Sequence, residues 1–124
     1  MRSGLTEFAQ KYAVKSAHFT GIGDARSARL GFFEYSRKMF KVIPVDEPCE
    51  VTALTGNITM MDGKPVAHAH VNVSDANGIV HGGHLLEMTI GPTLEVFVTV
   101  EPTQLNKKKD PKYDAAVIDP SMER

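Results

Sequence analysis

The chain has one cysteine, Cys49, almost no net charge and no apolar run approaching the length of a membrane span. A single cysteine excludes an internal disulfide framework and fits a reducing compartment. The opening MRSGLTEFAQ has no apolar signal-like region, so the reading is a cytoplasmic protein with no membrane partner. The 14 Lys and Arg against 15 Asp and Glu leave a net charge of −1. That balance gives no electrostatic reason to expect nucleic acid or an acidic membrane. What is present is 124 residues, 42% of them hydrophobic, which suits one domain with a core.

Leu5, Phe8, Ala9 and Tyr12 fall at helical spacing and predict a helix over Leu5 to Val14. Ser3 is its candidate N-cap, with Glu7 in the first turn. Beyond it the pattern is β. Lys15 to Thr20 reads as extended and Gly21-Ile22-Gly23 as a break. Strands are expected at Ala25 to Tyr35, Met39 to Val45, Glu50 to Met61, Val66 to Ser74, Ile79 to Ile90 and Leu94 to Val100. Asp62-Gly63 is a hairpin signal, Gly56 a candidate bulge or close approach, and Gly91-Pro92 a turn. The fold class expected is α+β, a mainly antiparallel β-sheet with one main helix packed on it and about six strands. Residues 1–102 make the domain, and 103–124 read as a polar, mostly irregular C-terminal tail. LEVFVTV at Leu94 to Val100 carries apolar residues on both faces. One short helix cannot cover both, which favours an oligomer, although a monomeric sandwich gives the same pattern.

Four of the five histidines lie in AHAHVNVSDANGIVHGGHLLE, residues 67 to 87. In Val66 to Ser74 the side chains alternate, so Ala67, Ala69, Val71 and Val73 share one face and His68, His70 and Asn72 the other. Two imidazoles from one strand face are a usual start to a metal site. On the return strand His81 and His84 differ by an odd number and fall on opposite faces. If Leu86, Met88 and Ile90 share the core face, His81 joins the pair. A bulge at Gly82-Gly83 brings His84 instead. Three neutral imidazoles suit zinc or a similar divalent ion and leave a position for water. Such a site loses affinity as pH falls below about 6.5, where imidazole protonates. The competing reading is a polar sheet face on which histidines cluster.

The segments EVTALTGNI at Glu50 to Ile58, Asp62-Gly63, HAHVNVSD at His68 to Asp75 and GGHL at Gly82 to Leu85 resemble the PPC domain family, the plant and prokaryote conserved domain. FTGIGDARSARLGFFEY at Phe19 to Tyr35 is similar too, and the resemblance spans about Leu5 to Pro102. It implies a compact subunit with a mainly antiparallel sheet and a packed helix, assembled as a homotrimer. Prokaryotic members stand alone, whereas plant members follow AT-hook motifs in nuclear proteins. The family's H-x-H and G-G-H match His68, His70 and His84, which implies a zinc-like site and selects His84 over His81. Members carry an extra strand before the first helix, which here is short or missing.

Three functions compete: a regulatory or assembly module labelled DNA-binding by family association, a zinc-dependent enzyme, and a small-ligand or metal sensor with its site at a subunit interface. DNA binding by this chain alone is not expected, because Lys107, Lys108 and Lys109 form the one basic run and read as a solvated tail. An enzyme needs an acid or base, for which Glu50, Glu87 and Glu95 are candidates beside the bland reading of exposed strand carboxylates. Cys49 is read as a half-buried thiol and His18 as a satisfied core or interface histidine.

Overall fold

The structure, a computed structural model, describes residues 2–122. The helix α1 spans Arg2–Lys11. Leu5 and Ala9 are buried, while Phe8 and Tyr12 stay exposed and make a tilted ring contact at 5.1 Å. The helix therefore covers the core with a narrower stripe than its spacing suggests. It ends where Ala13 turns left-handed at φ 54° and Val14 donates to the Ala9 carbonyl at 2.8 Å, a Schellman-type stop. Ser3, read as the cap, sits inside the helix, and its side chain lies outside the described residues.

Seven strands follow: β1 (Ala17–Glu34), β2 (Met39–Val45), β3 (Cys49–Met61), β4 (Lys64–Ser74), β5 (Val80–Val100), β6 (Asn106–Asp110) and β7 (Ala115–Asp119). They order as β2-β1-β5-β4-β3-β6-β7, and an additional β1–β3 pairing closes β1, β5, β4 and β3 into a ring. All pairings are antiparallel except a single parallel bridge between Met60 on β3 and Asn106 on β6. The β3–β4 hairpin turns on Asp62 and Gly63 with φ 52° and 76°, the pair of positive values that a type I′ turn needs. The core joins Leu5, Ala9 and Val14 of the helix to Phe19, Leu30, Leu54, Ile58, Val71, Val73 and Leu85 of the strands. Among the described residues no helix is long and apolar enough to cross a membrane.

Two expected breaks are absorbed. Gly21-Ile22-Gly23 stays in β1, with its register against β3 shifting between Gly21 and Gly23. Gly91-Pro92, a cis peptide, stays in β5, so the two expected strands are one of 21 residues. Gly56 is a close approach: a Cβ there meets the His68 carbonyl oxygen at 2.2 Å and Phe19 Cζ at 2.5 Å.

The segment read as an irregular tail is the β6–β7 hairpin. Its turn closes where Asp114, at φ 55°, donates its N–H to the Asp110 carbonyl at 2.8 Å. The Asp110 side chain also accepts from Lys112 N at 2.9 Å. The basic run is not a solvated tail either. Lys107 is buried, Lys108 pairs with Asp119 at 3.4 Å, and Lys109 pairs with Asp114 at 2.7 Å. NKKKD has no apolar alternation, so period-two reasoning had nothing to detect.

Candidate metal centre

On β4, Ala69, Val71 and Val73 are buried, which turns His68 and His70 to the opposite face. The β4–β5 ladder runs without a shift from Ser74↔Val80 to His70↔His84, so His84 stands directly across from His70. The ring centroids of His68, His70 and His84 lie 5.1 to 5.6 Å apart. Their candidate ligand nitrogens all fall within 4.8 Å of one another.

No bulge at Gly82-Gly83 is needed to bring His84 across. The irregularity lies downstream, where β5 shifts against β1 between Arg29↔Glu87 and Leu30↔Leu85. Leu86 is the extra residue, which lets both Leu85 and Met88 reach the core although they differ by an odd number. The premise that Leu86 shares a core face with Met88 fails at that bulge, and with it the case for His81. The glycine pair serves close approach instead, since a Cβ at Gly83 meets the Gly31 carbonyl oxygen at 2.8 Å.

His81 faces its own turn. Its Nε2 lies 3.1 Å from Asp75 Oδ2, while Asp75 Oδ1 accepts from the backbone N–H of Asn77 and Ile79 at 2.9 and 3.0 Å. The His81 hydrogen bond, then that from Ile79, holds the Asp75 carboxyl below its ordinary range.

A cross-strand row sets the geometry around the rings: Val42 on β2, Gly31 on β1, His84 on β5, His70 on β4 and Thr55 on β3 are successive partners. Phe40 lies over Gly31 and stacks on His84 with centroids 4.6 Å apart and planes at 16°. A Cβ at Gly31 meets the Phe40 ring at 2.7 Å, so a glycine there makes room for the stack. On the other side Asn57, the β3 partner of His68, has a buried Oδ1 with no hydrogen-bond partner.

The three histidines open into a cavity of about 1310 Å³. Aromatic contacts run from His84 through Phe40, Phe33 and Tyr35 to Tyr113, each pair 4.6 to 5.7 Å between centroids. The far wall is the β6–β7 hairpin, contributing Lys107 and Tyr113 to Val117. Sequence reading missed this wall: Asp110-Pro111 is a turn signal, but the wholly polar NKKKD before it reads as tail, and the cavity has no local signal. Among the described residues the one carboxylate lining the cavity is Asp114, paired with Lys109.

The acid–base candidates lie elsewhere. Glu50 pairs with Asp24 across β1 and β3, and a hydrogen bond with Asp24, then its charge, pushes the Glu50 carboxyl up. Glu87 stands opposite Arg29 and Glu95 opposite Ile22, both exposed. Cys49 is buried rather than half-buried, and desolvation followed by nearby Glu47 raises its thiol, the reverse of nucleophile activation. His18 is on the surface, with its Nδ1 2.6 Å from Glu101 Oε1.

A tetrahedral zinc ion with Zn–N near 2.0–2.1 Å spaces its ligand nitrogens about 3.4 Å apart. The candidate nitrogens, all within 4.8 Å of one another, approach that spacing, and the register implies no shift of the strands that carry them. The donor set is neutral imidazole only, which fits zinc and neighbouring late divalent ions.

The family model described as the Plants and Prokaryotes Conserved (PCC) domain matches residues 1–102. A candidate DNA-binding protein from Ralstonia eutropha JMP134 is similar in structure, with TM-score 0.88, 36% identity, and coverage of 94% of this chain and 81% of that one. A plant- and prokaryote-conserved protein from Pyrococcus horikoshii has TM-score 0.88 and 32% identity, covering 95% and 82%. A metal-containing protein from Archaeoglobus fulgidus has TM-score 0.84 and 30% identity, covering 95% and 84%. The curated proteins compared with the chain gave no match.

Proposed function

The chain belongs to the Plants and Prokaryotes Conserved domain family, and on that premise we propose that it is a homotrimeric small-molecule-binding protein, regulatory in role, whose site is built around one zinc-like ion on His68, His70 and His84. The observation that carries this reading is the convergence of three imidazoles, with nitrogens within 4.8 Å, on a cavity of about 1310 Å³. The metal-containing relative from Archaeoglobus fulgidus supports it. An ion held by three histidines supplies a Lewis-acid centre with a position left for water or ligand. Phe40 holds the His84 ring in plane, and the buried Asn57 oxygen is an acceptor at the register position facing His68.

Binding is favoured over hydrolysis because, among the described residues, the one carboxylate lining the cavity is already paired with Lys109. DNA binding has less support here than the relatives' description suggests. The net charge is −1, and two of the three residues in the basic run are in ion pairs. Support for a trimer comes from the outer face of β1 and β5, where Ile22 and Phe97 are diagonal neighbours 58% and 79% exposed.

The test is metal content after zinc loading at neutral pH. Wild type and His81→Ala are expected to retain one ion per subunit, and His70→Ala and His84→Ala to lose it. Loss in His81→Ala with retention in His84→Ala contradicts the assignment. Light scattering should give three times 13.6 kDa for wild type and smaller species for Phe97→Asp. A wild-type monomer contradicts the trimer.

A further inference from the structure

The β6–β7 hairpin lies outside residues 1–102, yet it places one unusual group in the cavity. Lys107 is only 7% exposed and lines the same cavity as the three histidines. Its neighbours Lys108 and Lys109 are exposed and paired with Asp119 and Asp114. Lys107 has no such partner among the described residues. Burying most of a lysine without a counter-charge is costly, and an apolar residue would fill a buried strand position without that cost. Desolvation alone pushes the Lys107 ammonium below the usual lysine range. A long side chain can bury its stem along apolar surface and keep its head wet. That explains the burial but not why the one unpaired lysine of the run is the one on the cavity.

The rest of the lining narrows the ligand. Phe33, Phe40, Tyr35 and Tyr113 give flat apolar contact, and Asp114 is neutralised by Lys109. One unpaired cation beside aromatic walls fits one negative charge on an aromatic or similarly flat apolar body. We infer that the cavity binds an aromatic monocarboxylate, with Lys107 receiving the carboxylate and the aromatic series receiving the ring. This deepens the small-molecule reading above and shares its cavity, but it does not require the ion.

The test is calorimetric titration of the full chain with benzoate and its neutral analogue benzamide, in zinc-loaded and chelator-treated protein. Wild type is expected to prefer benzoate by about tenfold or more, as a charge-assisted contact provides. Lys107→Met should abolish the preference while benzamide binding and zinc content stay unchanged and the melting temperature does not fall. Lys107→Arg should retain it, and so should the exposed-site control Lys108→Met. The preference should survive chelation, which separates this proposal from the metal assignment. Equal binding of the two probes by wild type overturns it, as does a benzoate preference that survives in Lys107→Met. A preference lost on chelation assigns the anion to the ion instead and overturns it. No benzoate binding at all also overturns it, and reads the cavity as a face closed by a second copy of the chain.

Discussion

Two hairpins face each other across the cavity and are built differently. β4–β5 lies inside the closed ring of strands, with Val71, Val73 and Leu85 beneath it in the core. β6–β7 hangs on the edge of β3 through one parallel bridge and a hydrogen bond from Met60 N to Leu105 O at 2.9 Å. Its strands are held by ladder bonds and by two ion pairs, Lys109–Asp114, exposed on both sides, and Lys108–Asp119, in which the lysine is exposed and Asp119 buried. Exposed pairs of the first kind contribute little. The wall that carries the three histidines is thus the stiff one, and the wall that would meet the rest of the proposed ligand is held less firmly. Local stability commonly divides this way, with binding elements drawn from the weaker end.

The largest effect should come from breaking the stiff wall. Gly56→Ala forces a Cβ to within 2.2 Å of the His68 carbonyl oxygen, and backbone cannot yield as a side-chain tip can. A loss of about 3 kcal/mol or more in stability is expected, read by chemical unfolding. A change under about 0.5 kcal/mol means the β3–β4 approach is softer than the geometry indicates.

A smaller effect sharpens the comparison within the site. Phe40→Ala removes the ring stacked on His84 and leaves all three ligands in place. Zinc affinity should fall by about tenfold, the low end for groups that orient a ligand, with little change in fold. Unchanged affinity would mean that β4 and β5 alone orient His84.

The smallest effect should appear in the edge hairpin on acidification. Lys109 holds the Asp114 carboxyl below its ordinary range, and Ser121, through its side chain and then its backbone N–H, does the same for Asp119. A carboxyl with a lowered native value stabilises fully above its unfolded value, about 3.9, and loses that contribution as pH falls through the native one. In metal-free protein, amide exchange in β6–β7, corrected for its intrinsic pH dependence, should therefore lose protection a few-fold below about pH 4; in β4–β5 the same loss should stay at the Asp75 turn, whose carboxyl is also held low, while the strands over the core keep their protection. Simultaneous loss in both hairpins would show one cooperative unit.

The two hairpins also differ in how far the sequence disclosed them. His68 and His70 sharing a face followed from strict alternation in AHAHVNVS, since Val71 and Val73 could only point to the core. His84 did not follow from parity. The deciding bulge is at Leu86, and whether an apolar residue beside a bulge counts as core is fixed by the neighbouring strand β1. The helix, β2 and the Asp62-Gly63 turn were readable because local pattern and tertiary packing agree there. The continuity of β1 and β5 through Gly21–Gly23 and Gly91-Pro92 was not, because long partner strands override local breakers. β6 and β7 showed only the Asp110-Pro111 turn signal between them: their residues alternate neither in polarity nor in size, and what marks Lys107 is its burial in the folded chain.

The central claim, that His68, His70 and His84 hold one ion, is tested most directly by X-ray absorption at the zinc edge of loaded wild-type protein and of His81→Ala. The account predicts the same spectrum in both: three imidazole nitrogens at about 2.0–2.1 Å and one further non-imidazole oxygen ligand. A spectrum that loses an imidazole in His81→Ala, or that shows fewer than three imidazoles in wild type, would contradict it.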